Sequence, residues 1–222
     1  MNSFQFETSV MLETLPLLLE GARLTLWVTL LGCLFGFLLG GAVGVLRSLE
    51  NPWARRPAGF YIEIIRGTPL MVQVMFLYFA LPMALGLRLP PITAGVIAIA
   101  LNSGAYIAEV VRGAIAGVPR GQMEAGRSIG LSKSQTLRYI IWPQAFRAMI
   151  PPLGNQFVIS LKDTSLLVVI GVGELTRSGQ EVIAVNFRAF EVWLTVALLY
   201  LCMTLGISLF LRWLEKKYKV AP

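Results

Sequence analysis

Little in this chain is equipped for covalent chemistry. It has no histidine, and its two cysteines, Cys33 and Cys202, both lie inside apolar runs, where each reads as a small buried hydrophobe. Such a set supports no nucleophile–base pair, disulfide or metal-ligand cluster, so no catalytic and no metal residues are expected. A glycine loop ending in Gly-Lys-Ser/Thr is also missing, so the chain should not itself bind or hydrolyse ATP. What remains is polar chemistry in apolar surroundings. The stretch PQAFRAMIPPLGNQFVISLKD (143–163) carries Asn155, Gln156, Ser160, Lys162 and Asp163, and Thr164 and Ser165 follow. Ionisable groups at bilayer depth cost about 2.5–3.5 kcal/mol each on insertion, so they should face a partner, the bundle interior or a wet cavity. A zwitterion leaving water needs partners for its carboxylate and its ammonium, and Lys162 and Asp163 offer one of each sign. The competing role is structural, with each residue satisfying a neighbouring helix. Adjacent helix residues point about 100° apart, so the two do not simply pair face to face. Asn102, beside Ser103, and Gln73 are further polar positions in apolar runs, where an interhelical hydrogen bond is the commoner use. The candidate substrate path is therefore Gln73, Asn102, Asn155, Gln156, Ser160, Lys162, Asp163 and Ser165.

Membrane-spanning helices must position these residues. The chain is 56% hydrophobic and 14% charged, whereas soluble domains carry about 25% charged residues. A helix needs about 20 apolar residues to cross the hydrocarbon core. Five segments qualify, at about 24–46, 61–86, 89–112, 149–172 and 192–212, the second extended at its start by helix that includes Glu63 and Arg66. Pro151-Pro152 and Gly154 predict a broken start to the fourth. The fold class is an all-α membrane protein with five transmembrane helices in one domain, 1–222. Its formal charge of +7 is spread between apolar spans instead of forming a face, which argues against nucleic acid as a partner.

Five spans put the ends on opposite sides. With the N-terminus outside, the cytosolic parts 47–62, 112–147 and 212–222 hold three, six and four Lys/Arg, thirteen in all, against Arg88, Arg177 and Arg188 outside. The positive-inside rule thus orients the N-terminus outside and the C-terminus in the cytosol. The first 22 residues hold three Glu and no Lys or Arg, so the first apolar run is expected to stay as an anchor. Gly32, Gly36, Gly40 and Gly44 form a smooth ridge that suits close helix approach, inside the subunit or at a dimer seam. Glu63 and Arg66, and Glu109 and Arg112, are spaced for local ion pairs. The segment GELTRSGQEVIAVNFRAF (173–190) is too polar to span and reads as amphipathic or re-entrant external structure.

One cytosolic stretch, 119–143, has a distinctive order. It runs Glu124-Ala125-Gly126, three residues, Gly130, nine residues, Ile140, and ends Trp142-Pro143. Gly130 is a natural left-handed stop for one short helix. Ser132 and Gln135 have capping-box spacing for a second, which Pro143 should disrupt.

This order resembles the EAA loop of ABC-importer permeases, in which Glu-Ala-Ala, Gly, Ile and Leu-Pro recur at the same spacing. Gly126 and Trp142 depart from that pattern. The runs IEIIRGTPLMVQVMFLYFALPMALG (62–86), NSGAYIAEVVRGAI (102–115) and PPLGNQFVISLKDTSLLVVIGVGELTRSGQEV (151–182) look like polar-amino-acid ABC permeases, so the likeness covers nearly the whole chain. It implies a type I ABC-importer permease fold in a bacterial plasma (inner) membrane. It implies that cytosolic ATPase subunits grip the loop through Glu124, Ala125, Gly126, Ser128, Gly130, Leu131 and Ser132. ATP and Mg would sit on that partner, with no cofactor in this chain. The other implied partners are an external substrate-binding protein, a second permease copy or paralogue, and membrane lipid. The substrate would be a polar L-amino acid, glutamine first, with arginine, histidine, glutamate and cystine as alternatives, moved by alternating access. The other classes open to the sequence are an ATP-independent transporter or channel, which has no need of the 124–143 loop, and a scaffold that tethers an ATPase.

Overall fold

The structure is a computed structural model of the chain, and it describes residues 6–49 and 51–217. Those residues are helical throughout, in ten α-helical stretches joined by π and 3-10 turns and short loops. Helix α1 is Thr8–Ser48 and α2 is Pro52–Gly67; α3 (Leu70–Met75) passes through a π turn into α4 (Leu81–Leu85). Helix α5 is Pro91–Gly117, α6 is Arg120–Ser128 and α7 is Lys133–Thr136. A π turn, Leu137–Ile141, leads from α7 into α8, Trp142–Asp163, which tightens to a 3-10 turn at Thr164–Ile170. Helices α9, Leu175–Asn186, and α10, Ala189–Lys217, complete the order. Four helices are long and apolar enough to cross a membrane: Thr8–Ser48, Pro91–Gly117, Lys133–Ile170 and Ala189–Lys217; the broken pair Pro52–Gly67 and Leu70–Leu85 makes a fifth.

The helices outrun the apolar segments. Helix α1 has 41 residues, roughly 60 Å at 1.5 Å per residue, and so begins well before the expected start at 24. Hydropathy marks only the part that needs lipid, while an amphipathic turn can extend a helix past it. The expected continuous helix over 61–86 is broken. Thr68 is extended (φ −119, ψ 142) and caps α2, because Pro69 disfavours the helical region for the residue before it and has no N–H to donate. At the fourth segment the correction runs the other way. Pro151 and Pro152 lie inside a continuous α8, and the departure from α geometry comes later, at Thr164.

The chain divides into two compact units. The first holds the chain up to Gly32, Leu70–Ile99 and Val158–Ile207; the second holds Cys33–Pro69, Ala100–Phe157 and the chain from Ser208 on. Helices α1, α5, α8 and α10 each contribute residues to both units. One core of the first unit gathers Val28, Val74, Ala98, Ile99, Leu167 and Val172, and another gathers Leu18, Leu175, Val182, Val192 and Val196. The second unit closes around Ile107, Val111 and Met149.

The glycine ridge of α1 packs on α5 of its own chain. In the first unit a Cβ on Gly32 would lie 2.5 Å from Ile99 Cγ2. In the second, Gly36 faces Ser103, Gly40 faces Gly104 and Ile107, and a Cβ on Gly44 would lie 2.6 Å from Val111 Cβ. Small residues every fourth position allow this approach, and dispersion contacts there replace the hydrophobic collapse that lipid does not supply.

Candidate functional site

The 119–143 stretch folds as two short helices around a defined turn. Helix α6 ends in a Schellman motif. Leu131 N–H donates to Gly126 O at 3.1 Å and Gly130 N–H to Arg127 O at 3.1 Å, with Gly130 at φ 88. A β-carbon is strained at that φ, so the glycine is a backbone requirement. Ser132 then starts α7 with a reciprocal capping box. Its Oγ accepts from Gln135 N–H at 3.2 Å, and its own N–H donates to Gln135 Oε1 at 2.8 Å. Gly126, the departure from the EAA pattern, has a packing reason. It is buried, and a Cβ there would stand 2.5 Å from Thr136 Cγ2. The two helices meet where the side chain is missing, with Thr136 fully buried. Gln144 Nε2 adds a tie from α8 to Gln122 Oε1 on α6 at 3.3 Å.

Glu124, Ala125, Ser128, Gly130 and Ser132 are exposed, Leu131 is half-buried and Gly126 is buried. The loop therefore presents one polar outer face while Gly126 holds its interior. Sequence reasoning passed over two apolar neighbours on that surface, Ile129 and Tyr139, which are 74% and 62% exposed. An apolar residue beside the turn glycine in an otherwise polar helix was the available signal. Pro143 does not end the ladder as expected. The π turn supplies a wider ring before it, Trp142 N–H donating to Leu137 O, so the proline is absorbed and the chain continues helical.

The candidate path residues divide between the units. In the first, Ser160 is buried, Lys162 exposed, and Asp163 and Ser165 half-buried. No ion pair joins Lys162 to Asp163 among the described residues. Thr164 Oγ1 donates to Leu161 O at 2.7 Å where α8 tightens, and α3, which carries buried Gln73, packs against the 3-10 turn that follows. In the second unit, Asn102 and Gln156 are buried and Asn155 is exposed. An open apolar groove of about 560 Å³ in the first unit, lined by residues such as Trp27, Leu30, Leu199 and Met203, includes none of the candidates. Cys33 is buried as expected, but Cys202 is exposed and borders that groove.

Three polar clusters include partners that sequence spacing did not supply. Arg66 does not simply serve Glu63 one turn back. It reaches Glu109 on α5 at 3.7 Å and lies 5.2 Å from the Tyr106 ring centroid; Arg112 holds the same carboxylate at 2.7 Å, as its spacing predicted. Glu174, within the segment expected to be external, is fully buried. It caps α9 by accepting from Thr176 and Arg177 N–H at 2.9 Å each, and Tyr200 OH donates to it at 2.9 Å. Burial pushes its carboxyl above the ordinary range, against the pull of those hydrogen bonds. Beside it, Leu175 N–H donates to Thr25 Oγ1 at 3.1 Å, which ties α9 to α1. Arg188 bridges Glu7 and the buried Glu191. Each cluster joins residues far apart in sequence.

Long apolar helices, a rigid polar helix–turn–helix between two of them, and a 3-10 tightening beside a Lys-Asp doublet define the membrane subunit of a transporter. Residues 24–220 match the family described as binding-protein-dependent transport system inner membrane component, and the chain belongs to that family. It is an ABC-importer permease of a bacterial inner membrane and a non-catalytic subunit, with ATP hydrolysis on a separate ATPase. The chain is 54% identical over 217 residues to the glutamine transport system permease protein of Escherichia coli, covering 97% of this chain and 99% of that one. It is 37% identical to the probable glutamine ABC transporter permease protein of Bacillus subtilis, over 94% of this chain and 96% of that one. Among solved structures, a crystal structure of an amino acid ABC transporter with histidines has a chain of the same fold. The TM-score is 0.91 at 37% identity, over 96% of this chain and 100% of that one.

Proposed function

We propose that this permease carries glutamine inward, driven by cytosolic ATPase subunits that seat on the 119–143 loop and fed by an external glutamine-binding protein. The observation that carries the substrate is the full-length likeness, at 54% identity, to a glutamine permease. A built loop supports the drive. The Gly130 turn, the capping box and the Gly126–Thr136 contact make it a stiff lever, and α7 runs through the π turn into α8. Glu124, Ala125, Ser128 and Ser132 form the face an ATPase would grip, while Gly126, Gly130 and Leu131 keep its shape. ATP and Mg act on that partner, and a second permease copy or a paralogue completes the transporter. Closure of the ATPase pair on nucleotide would shift the balance between two arrangements of the helices.

Of the path candidates, Lys162 and Asp163 with Ser160 and Ser165 would meet the substrate's charged ends in the first unit. Gln73 would support that position from α3. Asn102, Asn155 and Gln156 are polar candidates of the second unit.

Uptake of labelled glutamine into proteoliposomes, with the ATPase and binding protein supplied, tests this reading. Excess unlabelled glutamine should compete, and arginine, histidine, glutamate or cystine should not. Competition by one of those and not by glutamine would reassign the substrate; ATP-independent uptake would remove the drive. Lys162→Met and Asp163→Asn should each lose uptake while the complex assembles and keeps basal ATPase activity. Normal uptake by both would move the path elsewhere.

A further inference from the structure

The Glu174 carboxyl does more than cap α9. The Thr176 and Arg177 N–H groups already satisfy the cap. Yet Glu174 Oε2 also accepts from Tyr200 OH on α10 at 2.9 Å, and that hydroxyl lies 3.0 Å from Thr176 Oγ1. A further side-chain hydrogen-bond partner of the Tyr200 hydroxyl is Thr164, fully buried where α8 tightens into its 3-10 turn. The chain Glu174–Tyr200–Thr164 therefore joins α9, α10 and the end of α8 within the first unit. At one end it is anchored. Leu175 N–H donates to Thr25 Oγ1 at 3.1 Å, and a Cβ on Gly21 would lie 2.4 Å from Ser178 Oγ, so α9 sits tightly on α1. At the other end stands Thr164, directly after Asp163 and before Ser165. Thr164 Oγ1 donates to Leu161 O at 2.7 Å, the carbonyl that faces Ser165 N–H in an α ladder. From there each residue turns about 120° and rises about 2.0 Å, instead of about 100° and 1.5 Å. Where that change falls sets the direction of Ser165 relative to Asp163.

We propose that Tyr200 is a positioning residue for the substrate path: its hydroxyl, held by Glu174, fixes through Thr164 the turn that carries Asp163 and Ser165. The inference rests on the reading that Asp163 and Ser165 line the path, and adds what holds them in place. Packing alone does not account for the arrangement. A carboxyl, a phenol and two threonines converge from three helices, where phenylalanine and valine would fill the same space with no polar group to bury. Among the described residues every buried side-chain N or O has a partner. A buried polar set that is fully satisfied stiffens its surroundings and specifies one arrangement of its elements. Here that arrangement includes the change from α to 3-10 geometry beside Asp163.

Tyr200→Phe removes the hydroxyl and keeps the ring. In proteoliposomes with the ATPase and binding protein supplied, it should lower maximal glutamine uptake per assembled complex about five- to ten-fold, the scale of one lost positioning hydrogen bond. Half-saturating glutamine and basal ATPase activity should stay at wild-type values, whereas a general structural defect would lower both activities together. Thr164→Val should act like Tyr200→Phe, and Thr164→Ser should keep uptake, because only serine retains the hydroxyl. Thr204→Val is the control. Its hydroxyl donates to the backbone O of Tyr200 at 2.9 Å, one turn along α10, and its loss should leave uptake unchanged. Position is read separately. With Cys33 and Cys202 replaced, Ser165→Cys should react with a small thiosulfonate at a rate that Tyr200→Phe shifts several-fold and Thr204→Val does not. Either an unshifted labelling rate or wild-type uptake in Tyr200→Phe overturns the proposal. If Tyr200→Phe does not assemble, the threonine pair decides, and equal uptake by Thr164→Val and Thr164→Ser overturns it. Lost uptake in Asp163→Asn with none lost in Tyr200→Phe sinks this proposal alone. Normal uptake in Asp163→Asn sinks the path reading, and the labelling rate still tells whether Tyr200 holds the turn.

Discussion

At Gly126 one missing methyl decides how two helices meet. An alanine there suits helix propensity better by about 1 kcal/mol, but its Cβ would enter Thr136 Cγ2 at 2.5 Å. Gly126→Ala is therefore expected to destabilise the loop, by about 1–3 kcal/mol for overpacking, and to reduce ATP-driven uptake. Adding Thr136→Ser, which removes that methyl, should restore much of both. A double-variant cycle on thermal stability and uptake checks this, and purely additive effects would mean the contact does not matter. Gly130 is constrained differently, by its φ of 88. Gly130→Val should impose strain of about 1–3 kcal/mol and uncouple ATP hydrolysis from uptake with membrane insertion intact. Wild-type coupled uptake by that variant would count against a driving role for the turn.

At the scale of elements, α9 shows how a polar segment outside the long spans is held. One face carries Leu175 and Val182 into a core with Leu18 and Val192, and Glu174 anchors its start. The raised pKa of Glu174 makes a signed prediction. The folded state holds this proton more tightly than the unfolded chain. The resulting stabilisation is fully present below the ordinary value of 4.5 and is lost as pH rises through the raised value, where a charge must be buried. Glu174→Gln cannot titrate. The melting temperature of the wild type minus that of Glu174→Gln should therefore be largest in acid, fall as pH rises above about 4.5, and then flatten. Detergent thermal melts across pH measure it, and a difference that grows with pH would reverse the argument. Breaks in elements were only partly legible. Thr68-Pro69 obeys the rule that a residue before proline leaves the helix, yet Pro151-Pro152 does not interrupt α8. Proline sets a local bias, and surrounding contacts can hold a helix through it: Gly154, two residues on, lets Leu211 of α10 approach closely enough that a Cβ would stand 2.7 Å from its Cδ1.

For the whole molecule, the expected orientation rests on thirteen Lys/Arg on one side against three on the other, and labelling tests it. With Cys33 and Cys202 replaced, a cysteine at Gln180, which is exposed on α9, should react with an impermeant maleimide added outside intact cells, and one at exposed Lys133 should not. Labelling of position 133 alone would invert the topology. Sequence by itself determined the membrane class, the apolar segments and the helix–turn–helix of the loop. Those depend on hydropathy and on backbone rules acting over a few residues, such as the positive φ at Gly130 and the Ser132–Gln135 cap. Tertiary structure alone decided which side of each span is core and which is open, leaving Cys33 buried and Cys202 exposed. It also turned the glycine ridge onto α5, brought Arg66 to Glu109, and buried Glu174 under Tyr200. The reason is physical. In water, burial sorts apolar from polar residues, so sequence foretells the core. In lipid both surroundings are apolar, so hydropathy is silent and only packing between distant residues separates them.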